Sequence, residues 1–129
     1  MYNIKLKSVT ETESTMDIPT FIGMLFHYRD RVHLIHLNTT SYAAHKALNS
    51  LYNIILDVVD SLAETAQTES LLNITIPESS TSNDLNIAQE ILDFVRMNRY
   101  VFPHTFQQNE IDTLEASLSS AIYKLKFLK

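Results

Sequence analysis

The chain contains no cysteine, so its histidines and carboxylates are the side chains best suited to chemistry. Four of its five histidines precede residue 46: His27, His33, His36 and His45. His33 and His36 are three residues apart and share one face of a helix. His45 opens a longer polar stripe with Asn49, Asp60 and Glu64. At 100° per residue with Asn49 as zero, His45 falls at roughly −40°, Asp60 at roughly +20° and Glu64 at roughly +60°. The four lie within an arc of about 100°, between an apolar stripe and a polar face. Imidazoles and carboxylates on such a boundary suit a metal site between helices or subunits, for iron, manganese or zinc. A plainer reading stands beside this one. Asp60 and Glu64 are ordinary residues for an exposed face, and His33 and His36 favour a helix C-terminus through the dipole. No Glu-x-x-His motif occurs, so a di-iron centre contained in one bundle is excluded.

Composition removes other chemistries. Without cysteine there are no disulfides, thiolate zinc sites or cysteine nucleophiles, and a reducing compartment fits. Gly23 is the only glycine, which excludes Gly-rich phosphate loops. The net charge of −5 argues against nucleic acid as a partner. Basic residues gather weakly at Lys5 and Lys7 and at Lys124, Lys126 and Lys129, which reads as solvated termini. No apolar run is long enough to span a membrane, and the first residues do not form a secretory signal. A cytoplasmic location is expected. Serines and threonines fall mostly at expected caps and loops, so a hydrolase or transferase reading has little support.

The elements that must position these residues are helices. A length of 129 residues and an apolar content of 45% suit one domain with one core. Residues 1–15, with Tyr2, Ile4, Leu6 and Val9 alternating weakly, are expected to form an arm with one short strand. Residues 16–129 are expected to form a single all-α domain, a four-helix bundle. The first helix should start near Asp17 or Pro19 and end near Leu37–Asn38. The second should start at Thr40 or Ser41 and run to Thr68, with Leu48, Leu51, Ile55, Val59 and Leu62 as its apolar stripe. The third should follow Ser82, Asn83 or Asp84, carry Leu85, Ile87, Ala88, Ile91, Leu92 and Val95 as its apolar positions, with Tyr100 as a further candidate, and end at Pro103. The fourth should start at Gln107–Asn109. The first and third links are short, which makes antiparallel hairpins. The middle link is long enough to cross the bundle lengthwise, the short–long–short pattern of ferritin-like bundles, and Leu71, Leu72, Ile74 and Ile76 look made to pack; the alternative is a simple up-down-up-down bundle with a loose middle loop.

The stretch from His33-Leu-Ile-His36 through His45 and Asn49 to Asp57, Asp60 and Glu64 resembles the Dps subgroup of ferritin-like proteins. That region of the family carries His-Trp-Asn, a second His, an Asp four residues on, and a later Asp-x-x-x-Glu. Ungapped, these fall on His33, His45, Asn49, Asp60 and Glu64. With a three-residue deletion the first falls on His36, and His36-Leu37-Asn38 matches His-Trp-Asn. The resemblance implies a site at a two-fold subunit interface, histidines from one subunit and carboxylates from the other. It implies iron binding and oxidation of Fe(II) within a homo-oligomeric shell. The departures are a missing Trp, Asn49 in place of Asp, a lost loop glycine and a short chain. They leave room for a degenerate site that keeps the fold. The Ser41-to-Leu48 segment and the Tyr123–Leu128 end are also similar to small ferritin-like proteins of tailed phages. That likeness implies the host cytoplasm or a virion. The competing expectation is a non-enzymatic helical protein, structural or host-interacting.

Overall fold

The computed structural model describes residues 15–78 and 84–129. The expected arm, the polar run 79–82 and the Ser82 and Asn83 starts of the third helix lie outside these residues, apart from Thr15. The described residues form four α-helices: α1 (Ile18–Asn38), α2 (Tyr42–Ala66), α3 (Ile87–Asn98) and α4 (Thr105–Phe127), with a 3-10 turn over Arg99–Val101. The protein is an all-α four-helix bundle.

Local chemistry sets the boundaries. Asp17 caps α1 by accepting from the Thr20 amide at 2.9 Å, with Pro19 in the first turn. Ser41 caps α2 by accepting from the Ala44 amide. The α2 stripe is buried as expected: Leu48, Ile55, Val59 and Leu62 are wholly inaccessible. That helix ends at Ala66, not Thr68, because the Gln67 side chain turns back to the Ala63 carbonyl and accepts from the Leu72 amide. The α4 helix starts earlier than expected, at Thr105, just after Pro103. The Gln107 side chain accepts from the His104 amide there.

Two expected core residues are outside the core. Leu85 is 40% exposed because α3 begins only at Ile87. Tyr100 is 63% exposed because the helix has tightened into the 3-10 turn, which changes the period.

Helix order around the core is α1, α2, α4, α3, with α3 closing onto α1. The α1 and α3 helices run antiparallel: Phe21 and Tyr28 both contact the Phe94 ring, and Arg31 reaches back to Glu90. The α2 and α4 helices are antiparallel as well: Thr65 meets Gln107, and Ala47 lies by Lys124. Helix α2 therefore ends at one end of the bundle, where Ala66 adjoins Ile18 and Pro103. Helix α3 begins toward the other, where Leu85 adjoins Asn38 and Thr39. The middle link crosses lengthwise. It passes over Gly23, where an added Cβ would stand 2.1 Å from the Thr75 carbonyl oxygen. Leu72 and Ile74 pack on the core, whereas Leu71 and Ile76 face outward. Leu71 falls on the side of the link opposite Leu72 and Ile74, as alternation requires; Ile76 has their parity, but the half-buried Pro77 takes the inward place beside Gly23 instead.

Candidate functional site

Three residues lie between the end of α1 and the start of α2, and this turn gathers three of the histidines. The last carbonyls of a helix have no partner within it. Thr39 donates to the Ile35 carbonyl, and the Asn38 side chain donates to that of Leu34. The next carbonyl, that of His36, accepts from His45 Nδ1 at 3.0 Å. In return His36 Nδ1 donates to the His45 carbonyl at 2.8 Å. The two rings stack with centroids 3.8 Å apart and planes 21° from parallel. Each imidazole thus fastens the other's helix.

This clasp fixes the tautomer. A carbonyl oxygen only accepts, so each Nδ1 carries the proton, and in the neutral ring each Nε2 holds a lone pair. Among the described residues neither Nε2 has a hydrogen-bond partner, and neither is sealed from solvent. Metal-binding imidazoles are commonly oriented this way, by a backbone carbonyl on the other nitrogen.

His33 stands beside the clasp, stacked on Tyr52 at 4.3 Å, with His36 at 5.9 Å. The Tyr52 ring also meets the edge of His36, and its hydroxyl donates to Asn49 Oδ1 at 3.0 Å. Asn49 therefore serves as the acceptor that fixes Tyr52. The Arg29 guanidinium lies 5.8 Å from the centre of that ring. Tyr52 and Arg29 were not evident as site residues. The signal for Tyr52 is its spacing of three from Asn49; Arg29 is visible only from the packing.

Asp60 and Glu64 are exposed, on the same helix but far from the clasp. At 1.5 Å per residue, His45 and Asp60 are about 22 Å apart along α2. One chain therefore does not bring its histidines and these carboxylates together. Among the described residues, no three His, Asp or Glu side chains form a group able to hold a metal ion.

A second polar group lies in the α1–α3 contact. Arg31, nearly buried, makes paired bonds of 2.7 and 3.1 Å to Glu90. Burial, with the Glu90 charge adding to it, pushes the Tyr28 hydroxyl up to about 12. His27 is buried against Tyr28, and burial followed by the Arg31 charge holds its pKa below the ordinary 6.5. Glu90 thus takes two of the Arg31 donors across the helix contact, while Arg31 Nε is buried without a hydrogen-bond partner among the described residues.

Fold and site together define a helical bundle with a lengthwise crossing and a paired-imidazole turn. Residues 36–125 match the model described as "Family of unknown function (DUF5856)". The match covers more than half of the chain, which belongs to that family; it includes His36, His45, Tyr52, Asp60 and Glu64. No curated protein and no solved structure matches the chain significantly. No helix among the described residues is long and apolar enough to cross a membrane.

Proposed function

We propose that this protein is a ferritin-like subunit that binds a transition-metal ion, iron(II) in the first instance, between two copies of the chain. His36 and His45 of one copy supply imidazoles, and Asp60 and Glu64 of the other supply carboxylates. The observation that carries this reading is the clasp, which leaves two Nε2 lone pairs without a protein partner among the described residues. The distance between the histidines and the carboxylates requires the second copy. Arg29 over the ring on which His33 stacks places a fixed cation near that imidazole, which favours His36 over His33 as the ligand. Iron is then a substrate to be bound and oxidised by an added oxidant. Asn49 brings no charge to the site and is held by Tyr52, so a site that binds iron without oxidising it efficiently is within the same reading.

Metal content, native mass and the rate of Fe(II) oxidation test this together. Wild-type protein should retain iron or zinc in an assembly of at least two subunits. Asp60→Asn with Glu64→Gln, both at exposed positions, should release the metal without unfolding the chain. Unchanged metal content in that variant would remove the carboxylate half of the proposal. A second reading is a non-enzymatic helical interaction protein. It is favoured by the clasp itself, since satisfying two helix ends already accounts for His36 and His45. Metal-free protein with no iron affinity would establish it.

A further inference from the structure

The cations of this chain divide by type. All four arginines make ion pairs within the bundle: Arg29 with Asp30, Arg31 with Glu90, Arg96 with Glu115, and Arg99 with Asp112 and Glu115. The described lysines do not pair among the described residues, and all stand at one end. Lys46 is in the first turns of α2, and Lys124, Lys126 and Lys129 follow one another at the end of α4. Asp84 opposes them there. The same end exposes Leu37, Tyr42, Tyr123, Phe127 and Leu128.

The opposite end has the reverse charge. Asp17, Glu64, Glu69 and Glu110 surround it, with no lysine among the described residues. It too exposes apolar side chains: Leu71 beyond α2, and Tyr100 and Phe106 at the α3–α4 corner. A cleft of about 200 Å³ opens between them, bordered by Ile18, Ala66, Pro103 and His104. The large exposed apolar residues thus concentrate at two ends of opposite charge.

We infer that the basic end of one copy docks on the acidic end of the next, so that the protein associates head to tail. The partner is a second copy because the acidic, apolar surface that complements the lysine end is carried by this same chain, on a bundle of the same cross-section. The contact is heterologous, so it propagates into rings or filaments and does not stop at a dimer. A two-by-two array of helices each about 10 Å across presents roughly 400 Å² per end. Such an interface belongs to the transient class, strengthened by charge complementarity and weakened by salt. It shares Glu64 with the proposed metal site but needs no metal, so association in the presence of chelator reads this contact apart from that site.

Sedimentation of the full chain in chelator, from micromolar to millimolar concentration, tests the inference. At low salt the average mass should rise roughly twofold or more, and it should return toward the monomer at high salt. Lys126→Glu with Lys129→Glu makes both ends acidic; Thr68→Lys, Glu69→Lys, Ser70→Lys and Asn109→Lys, all at exposed positions, reverse the acidic end and make both ends basic. Each variant alone should remain monomeric, with its helix content checked by circular dichroism. Mixing the two should restore association, because each reversed end then meets a complementary one. Constant wild-type mass, a salt-insensitive closed dimer, or a mixture that stays monomeric would each overturn the proposal. So would binding of a monomeric wild type to anionic lipid vesicles, which would give the lysine end a different occupant.

Discussion

The α1–α2 turn and the α3–α4 corner perform the same task with different chemistry. Each reverses the chain between antiparallel helices in a few residues. The first is held by rings: two imidazoles stacked at 3.8 Å, each donating to the other's backbone. The second is held by one cation. Arg99 donates to Gln108 Oε1, the Gln108 carbonyl, Glu115 and Asp112, and Gln108 donates back to the Arg99 and Phe102 carbonyls. Burial alone would weaken the Arg99 charge, but its hydrogen bonds to Asp112 and Glu115 outweigh that and hold its pKa above the ordinary value. The charged corner spends both Arg99 and the Gln108 side chain on internal bonds. The imidazole turn leaves nitrogens over, and a turn with spare lone pairs is the one that can bind.

Arg99→Ala should give the largest loss among the variants that probe this contrast. It removes four donor contacts and leaves Glu115 to Arg96 alone, and charge-assisted bonds of this kind carry about 3 kcal/mol once solvent screening is allowed for. Urea unfolding followed by circular dichroism measures it; a loss near zero would mean that the corner is held by packing alone. The long crossing offers a third mode, backbone against helix. At Gly23 a methyl group would meet the Thr75 carbonyl, so Gly23→Ala should cost about 3 kcal/mol in overpacking, offset by about 1 kcal/mol of helix propensity. A more stable Gly23→Ala protein would show that the crossing moves aside freely.

The parts of this architecture legible in the sequence are those encoded at short range. Asp17 and Ser41 mark helix starts because a cap needs only the next three residues. The α2 stripe follows from a period of 3.6, and the crossing follows from link lengths. Long-range pairings were not legible. Arg31 and Glu90 are 59 residues apart, and nothing local marks either as half of a pair. The crossing announced four apolar residues but not that Leu71 would face away from Leu72 and Ile74, nor that Pro77 would take the inward place of Ile76. The candidate site was partly legible. Its residue types and common face could be read, but not that His36 and His45 engage each other's backbone, which requires the turn to be folded. Asn49 looked like a lost ligand, and its bond to Tyr52 gives it a structural task.

His45→Ala should have a smaller effect than Arg99→Ala. It removes the stack and leaves the His36 carbonyl to water, which can reach this half-exposed turn, so the cost is about 1 kcal/mol. The same variant should lower metal affinity at least tenfold if the turn binds metal. A stability change without an affinity change would leave the turn as a clasp only.

Acid probes the α1 side most finely. His27 is buried with its pKa held below 6.5 by burial first and the Arg31 charge second, with Glu90 and Asp30 pulling weakly the other way. The unfolded chain therefore takes up this proton before the folded chain does. The stability that His27 contributes is complete above the ordinary value and is lost as pH falls through the lower, folded one. His27→Gln should flatten the decline in melting temperature between about pH 7.5 and about pH 5, the range in which imidazoles titrate. Arg99→Ala should lower the whole curve without changing this component, because its guanidinium keeps its charge throughout. If His27→Gln and wild type decline in parallel, the acid sensitivity of the fold lies elsewhere than in this buried ring.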